Sequence, residues 1–277
     1  MLLQSLLRPV LTPLMRGMFD APIFSSSAWS PLDLPSLGAW YDPSDLSTMF
    51  QDAAGTTPVT AAGQPVGLIL DKSGNGYHAS QSTSTARPLL QIDGSGNYHL
   101  AFDGVDDYLN TSAIDLTGTS HVAVFTGAYV DSPAVQILLE TSDSGYANSG
   151  AFTISINDRA GNAGTFTGGG SAGTVNYTVS GQPAHAVTAL HLNSVFTSGV
   201  GFATVAVNGV SQTIAVDFGN TSTGNFGNWP LHIGARSTPS YFFNGNLYSL
   251  ILGGAAYDAA TVLAAETWVA DKTGVTL

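Results

Sequence analysis

There is no cysteine in this chain of 277 residues, so neither a disulfide nor a thiolate zinc site contributes to its fold. Charge is nearly as scarce. Charged residues make up 9% of the sequence, against roughly a quarter in an ordinary globular protein. Lysine and arginine together number 7, aspartate and glutamate 19, and the formal net charge is -12. A nucleic-acid partner needs a basic patch, and no window of this sequence supplies one. The unbroken apolar run of about 20 residues that spans a bilayer is also absent. Glutamate occurs only at Glu140 and Glu266.

What is present is glycine, 32 residues of it, together with abundant serine, threonine and asparagine. The polar surface must therefore be built from hydroxyls and amides, as is common in sandwich proteins that meet sugars. A chain of this length fits one large all-β domain, alone or with a short arm, and buries about three quarters of its unfolded surface without a staple.

Residues 1–19 are the segment that does not read as sheet. Leu3, Leu6, Leu7, Val10, Leu14 and Met18 recur at helical spacing, while Pro9 and Pro13 interrupt any helix they would form. No basic residue precedes the apolar run, which argues against a signal peptide, and the run is too short and too broken to cross a membrane. It is read as an attachment arm. Residues 20–37 carry Pro22, Pro31 and Pro35 among serines and read as a linker, with the folded domain over 38–277.

Beyond residue 97, strand signals recur every eight to twelve residues or so, the spacing of a sandwich. His121 to Val130 is apolar on both faces and reads as a central strand. Phe152, Ile154 and Ile156 alternate with Thr153, Ser155 and Asn157, the mark of an antiparallel strand with one face buried. Asn208-Gly209 is the strongest hairpin signal, expected to join Phe202–Val207 to Val210–Val216. Asn244-Gly245 reads as another turn. The last element is a helix capped by Asp258, with Val262, Leu263, Ala265 and Val269 as its apolar stripe and Gly274 as its stop.

Two turns organise the first half of the domain. Asp71-Lys72-Ser73-Gly74-Asn75-Gly76 and Asp103-Gly104-Val105-Asp106-Asp107 both use residues that take positive φ or bond their own backbone. Apolar alternation at Val66, Leu68 and Leu70, then at Leu100 and Phe102, makes each turn a corner of a half-buried sheet. The run DKSGNGYHA, then ARPLLQ, then LAFDGVDDYL resembles the N-terminal part of concanavalin A-like lectin/glucanase domains, the laminin-G-like jelly rolls. The end of the chain, from LHIGARSTPSYFFNGN through the helix, is similar to the closing strands and terminal helix of such domains in bacteriophage structural proteins. The resemblance covers roughly residues 38 to 277 and implies an antiparallel β-sandwich of jelly-roll type.

Glucanases of that fold carry the pattern Glu-x-Asp-x-x-Glu, which sets carboxyl groups about 5 Å apart for retaining hydrolysis. Neither Glu140 nor Glu266 has a carboxylate at that offset, so a non-enzymatic role is expected. Relatives that bind calcium direct attention to Asp103, Asp106 and Asp107, a loop of oxygen donors suited to a hard cation. The same aspartates could instead cap a turn. The six histidines are scattered without metal-ligand spacing. A sugar site would combine aromatic platforms with polar partners, and the loop candidates are Tyr146, Trp229 and Tyr241 beside Arg236. The resemblance implies a virion component of a tailed phage or phage-like particle. In that reading the protein is a homo-oligomer attached to other virion proteins through residues 1–37 and displays the sandwich toward host surface glycans. The alternatives are a secreted carbohydrate-binding lectin and a polysaccharide depolymerase.

Overall fold

The computed structural model describes residues 28–131, 135–144, 148–156, 164–168, 175–179, 185–193, 196–197, 203–213, 215–218 and 221–277. The attachment-arm residues Leu3, Leu6, Leu7, Val10, Leu14 and Met18 lie outside them, as does Tyr146. Two antiparallel sheets face each other and one helix, Ala259–Thr273, closes the chain, so the all-β sandwich expected from the strand spacing is the observed architecture. Among the described residues no helix is long and apolar enough to cross a membrane.

The eight-stranded sheet is built around Asn244–Gly253, which pairs with His121–Val130 on one side and with Tyr98–Asp103 and Leu37–Tyr41 on the other. In the ten-stranded sheet Gln136–Thr141 lies between Phe152–Ile156 and Asn228–Ile233, and Leu109–Asp115 follows. Between the sheets, Val122, Val124, Leu250 and Leu252 meet Leu139, Phe152, Ile154, Leu231 and Ile233 in the main core. Each such side chain, fully buried, contributes roughly 1.5–3 kcal/mol.

His121–Val130 is apolar on both faces because both are covered. Its odd-numbered residues Ala123 and Phe125 point away from the main core into a second one, shared with Trp40, Ile251, Ala265, Val269 and Ala270 of the helix. Asp258 caps that helix by accepting from Thr261 N at 2.8 Å, and Gly274 ends it at φ 71°. Leu263 is not part of the buried stripe: it is 57% exposed. It sits about 100° round the helix from Val262, off the arc that carries Ala265, Glu266, Val269, Ala270 and Thr273. Trp29 and Leu34, ahead of the boundary drawn at residue 37, also pack into this second core.

Three local expectations are corrected. Asn244-Gly245 is not a turn but the start of the long strand; a Cβ on Gly245 would lie 2.1 Å from the Tyr129 carbonyl oxygen, so glycine serves close strand approach. The strand after Asn208-Gly209 does not run to Val216. The hairpin is present, with positive φ at both residues, but its return strand stops at Ser211 and Ala215–Phe218 pairs in the opposite sheet. Buried alternation around the first turn falls on Val66 and Ile69, not on Leu68 and Leu70, because the extended stretch is only Leu68–Ile69 and its phase is reset at Gly67. A Cβ on Gly67 would stand 2.7 Å from the Gln51 carbonyl oxygen.

The turn at residues 71–76 holds the first strand. Asp71 accepts from Trp40 N at 2.9 Å and from Ser73 N at 2.9 Å, while Asn75 Nδ2 donates to the Leu37 and Gly38 carbonyls at 2.7 and 2.9 Å. Lys72 and Lys272, the chain's two lysines, both reach Asp42 Oδ2, at 3.6 and 3.0 Å, and tie the end of the first strand to the helix.

Helix docking depends on Gly127. A Cβ there would lie 2.2 Å from Thr273 Cγ2 and 3.1 Å from Val269 Cγ1. Gly127→Ala is expected to cost about 1–3 kcal/mol in chemical denaturation. Adding Thr273→Ser, which removes the obstructing methyl and keeps the hydroxyl that accepts from Val275 N at 3.1 Å, is expected to recover most of that loss.

Candidate functional site

Glu140 is the one charged side chain in the strand Gln136–Thr141, and it is 0% exposed. Leu139 and Thr141 alternate with it, Leu139 filling the main core, so Glu140 lies on the outer face of the ten-stranded sheet. Its direct cross-strand neighbours are Thr153 on one side and His232 on the other. A buried carboxylate is tolerated only when paired and hydrogen-bonded. Arg236 Nε stands 3.5 Å from its Oε2, Thr153 Oγ1 donates to the same oxygen at 3.3 Å, and Ser237 N donates to Oε1 at 2.9 Å.

Those contacts bind the loop that follows Asn228–Ile233 to the sheet. Arg236 N donates to the Ser240 carbonyl at 3.2 Å, closing a tight turn, and Ile137 N donates to the Tyr241 carbonyl at 2.8 Å. Tyr241 therefore leaves the loop beside the start of the interior strand Gln136–Thr141, with its ring over the Arg236 guanidinium at 4.9 Å. The residue is 48% exposed and its backbone sits at φ 53°, a left-handed conformation that costs a non-glycine residue on the order of 1 kcal/mol or more. Strain of this kind persists where the surroundings over-determine the geometry. An exposed tyrosine and a guanidinium come together, which suits stacking and hydrogen bonding to a polyhydroxylated ring.

His232 completes the buried side of the network. Its Nε2 stands 3.0 Å from the Ser142 carbonyl, which can only accept, so Nε2 carries the proton. Burial pushes its pKa down, against the opposing pull of Glu140 and Asp143.

The three aspartates lie at the same end of the sandwich. Asp103 pairs in register with Asn244, Asp131 N donates to the Asn244 carbonyl at 3.0 Å, and a Cβ on Gly234 would meet Asp107 O at 3.4 Å. The loops carrying the aspartates and the Arg236–Tyr241 pair thus form one rim. Carboxylate oxygens of Asp103, Asp106 and Asp107 fall within 4.8 Å of one another, so these residues could hold a hard cation such as calcium. They also cap the turn: Asp103 Oδ1 accepts from Val105 N at 2.8 Å, and Asp107 Oδ2 from Asp103 N at 3.1 Å.

Trp229 belongs elsewhere. It is a strand residue, not a loop residue, paired with Ile114, and roughly 13 Å of strand separates it from Ile233 before the chain turns toward Arg236. Its Nε1 donates to the Ser149 carbonyl at 2.9 Å and its ring covers Gly227, where a Cβ would lie 2.0 Å away. It lies half-buried at the opposite end. The residues sequence reasoning missed are Glu140 and His232 as partners of the site. A lone charge between leucine and threonine in ILLET was the available signal, since charged residues are almost never fully buried unless paired.

Tyr241→Gly is expected to be more stable than Tyr241→Ala by about 1 kcal/mol, since both remove the ring but only glycine relieves the left-handed strain; denaturant midpoints compare them. Asp107 generates a pH dependence. Burial, aided by Asp103 and Asp106, pushes its carboxyl up to about 6. The folded state then holds this proton more tightly than the unfolded chain, so the stabilisation is present below about pH 4 and is lost as pH rises through about 6. Asp107→Asn should flatten that part of the melting-temperature profile.

No protein-family model matches the chain, and no curated protein sequence does. Among solved structures, it is similar to domain 4 of AbnA, a GH43 extracellular arabinanase from Geobacillus stearothermophilus, in complex with arabinotriose. The identity is 15% over 83% of this chain and 98% of that one, with a TM-score of 0.50. It is also similar to the binding domain of botulinum neurotoxin DC, solved in complex with rat synaptotagmin II, at 11% identity over 87% of this chain and 52% of that one, with a TM-score of 0.52. A second structure of that binding domain, in complex with SialylT, matches at 10% identity over 88% and 52%, with a TM-score of 0.50. The chain spans about half the length of the toxin binding domains, and at these identities the likeness is one of fold: a β-sandwich of the kind found in these domains.

Proposed function

We propose that this protein is a non-enzymatic glycan-binding β-sandwich whose binding site is the rim formed by Tyr241 and Arg236. The observation that carries the reading is Tyr241: an exposed ring held in a strained backbone over a guanidinium that is itself tied to a buried carboxylate. Such an arrangement is costly to maintain for packing alone. Support also comes from the neighbouring folds, one solved with arabinotriose and one with SialylT. Against hydrolysis, Glu140 is bound to Arg236, Ser237 and Thr153 and is buried, so it is not presented to a glycosidic bond.

We further propose that the sandwich is displayed on a virion of a tailed phage or phage-like particle and attached through residues 1–37. The apolar arm pattern and the resemblance of the C-terminal end of the domain to such domains in phage structural proteins support this. A glycan array probed with the full chain is expected to show binding that Tyr241→Ala abolishes, with no reducing ends released from bound polysaccharide. Absence of binding to any glycan, or release of reducing ends, overturns the reading. Deleting residues 1–35 should abolish incorporation into particles while leaving glycan binding intact.

A further inference from the structure

We infer that the Tyr241–Arg236 site selects uncharged glycans and rejects acidic ones, an inference that rests on the glycan-binding reading above. Recognition of a sialic acid or uronate carboxylate calls for a cation able to turn its donors toward the ligand, most often the planar fork of an arginine. Arg236 is already committed. Its Nε faces the Glu140 carboxylate at 3.5 Å and its guanidinium lies under the Tyr241 ring at 4.9 Å. Swinging it out to a ligand would leave Glu140 as an uncompensated charge in a fully buried position, which is strongly unfavourable.

No other described cation takes over the role. Lys72 is bound to Asp45 at 2.7 Å and shares Asp42 with Lys272, which lies 3.0 Å from it. Arg87 donates to the Gln81, Gln51 and Ser82 carbonyls at 3.0, 3.0 and 2.9 Å. The remaining arginines, Arg8, Arg16 and Arg159, lie outside the described residues. Meanwhile the rim that carries the site also carries Asp103, Asp106, Asp107 and Asp131, on a chain whose formal charge is -12. An acidic glycan approaching Tyr241 meets a field of its own sign, screened only over about 8 Å at physiological ionic strength. A neutral sugar meets no such barrier and can stack the hydrogen-bearing face of its ring on the negative face of the tyrosine.

The test is an array that presents neutral oligosaccharides beside their sialylated or uronate counterparts, probed with the full chain at low and at physiological salt. The expected result is that neutral members bind about tenfold or more tighter than their acidic counterparts, with a gap that widens at low salt. Glu140→Gln, which leaves the Arg236 charge uncompensated, should shift binding toward the acidic members; if that variant does not fold, the salt comparison on the unmodified chain decides alone. Acidic members that bind tighter than neutral ones, in a manner lost in Tyr241→Ala, overturn this inference and leave the glycan-binding reading standing. Binding of no member at all, or binding that Tyr241→Ala leaves unchanged, overturns the assignment of the site and this inference with it.

Discussion

The structure depends on burying the eight-stranded sheet on both faces. Asn244–Gly253 and His121–Val130 lie side by side, and their side chains alternate between a core shared with the other sheet and a core shared with the C-terminal helix. A sheet apolar on both faces would be an aggregation hazard if one face were open. The helix removes that hazard, and Gly127 lets it approach closely enough to do so. The first strand, Leu37–Tyr41, joins the same arrangement: Ala39 and Tyr41 face the main core and Trp40 faces the helix, where it meets Trp268 edge-on at 5.6 Å. The two ends of the domain are thereby made into one unit.

Scarcity of charge explains much of the rest. With few ionic groups, each of the described cations has an assigned structural partner, and two of them converge on one aspartate to clasp the first strand against the helix. Arg236 follows the same rule, but its partner is fully buried, and the loop carrying Tyr241 is anchored through the pair. Buried ion pairs add little net stability relative to apolar packing, and they punish the loss of one partner heavily. Here the pair gives the loop a defined geometry, as the proposed recognition role requires.

Strain and polarity meet on one rim. Tyr241 holds its left-handed backbone because Ile137 and Arg236 fix the chain on either side of it, and the same end of the sandwich gathers the acidic loop of Asp103, Asp106 and Asp107. The opposite end, around Trp229 and Gly227, is tightly packed and its indole nitrogen is already bonded. The proposed binding rim and the packed end around Trp229 are thus separated along the long axis of a single strand, Asn228–Ile233.

The sequence by itself determined the class of the fold, the central strand His121–Val130, the Asn208-Gly209 hairpin and the capped terminal helix, because alternation, turn residues and caps act over a few positions. It also singled out Arg236 with Tyr241, and the three aspartates, as residues with chemistry to offer. Only the tertiary structure decided that these two groups share a rim, that Trp229 stands apart from them, and that Glu140 is the partner of Arg236 instead of a lone carboxylate. Such relations depend on which distant strands pair and in what register. Register is set by the simultaneous burial of two sheets and a helix, and short-range patterns carry no record of it. Leu263 and Gly245 show the same limit at single positions: a helical spacing cannot say where the buried arc ends, and a glycine cannot say whether it turns a chain or lets another one pass close by.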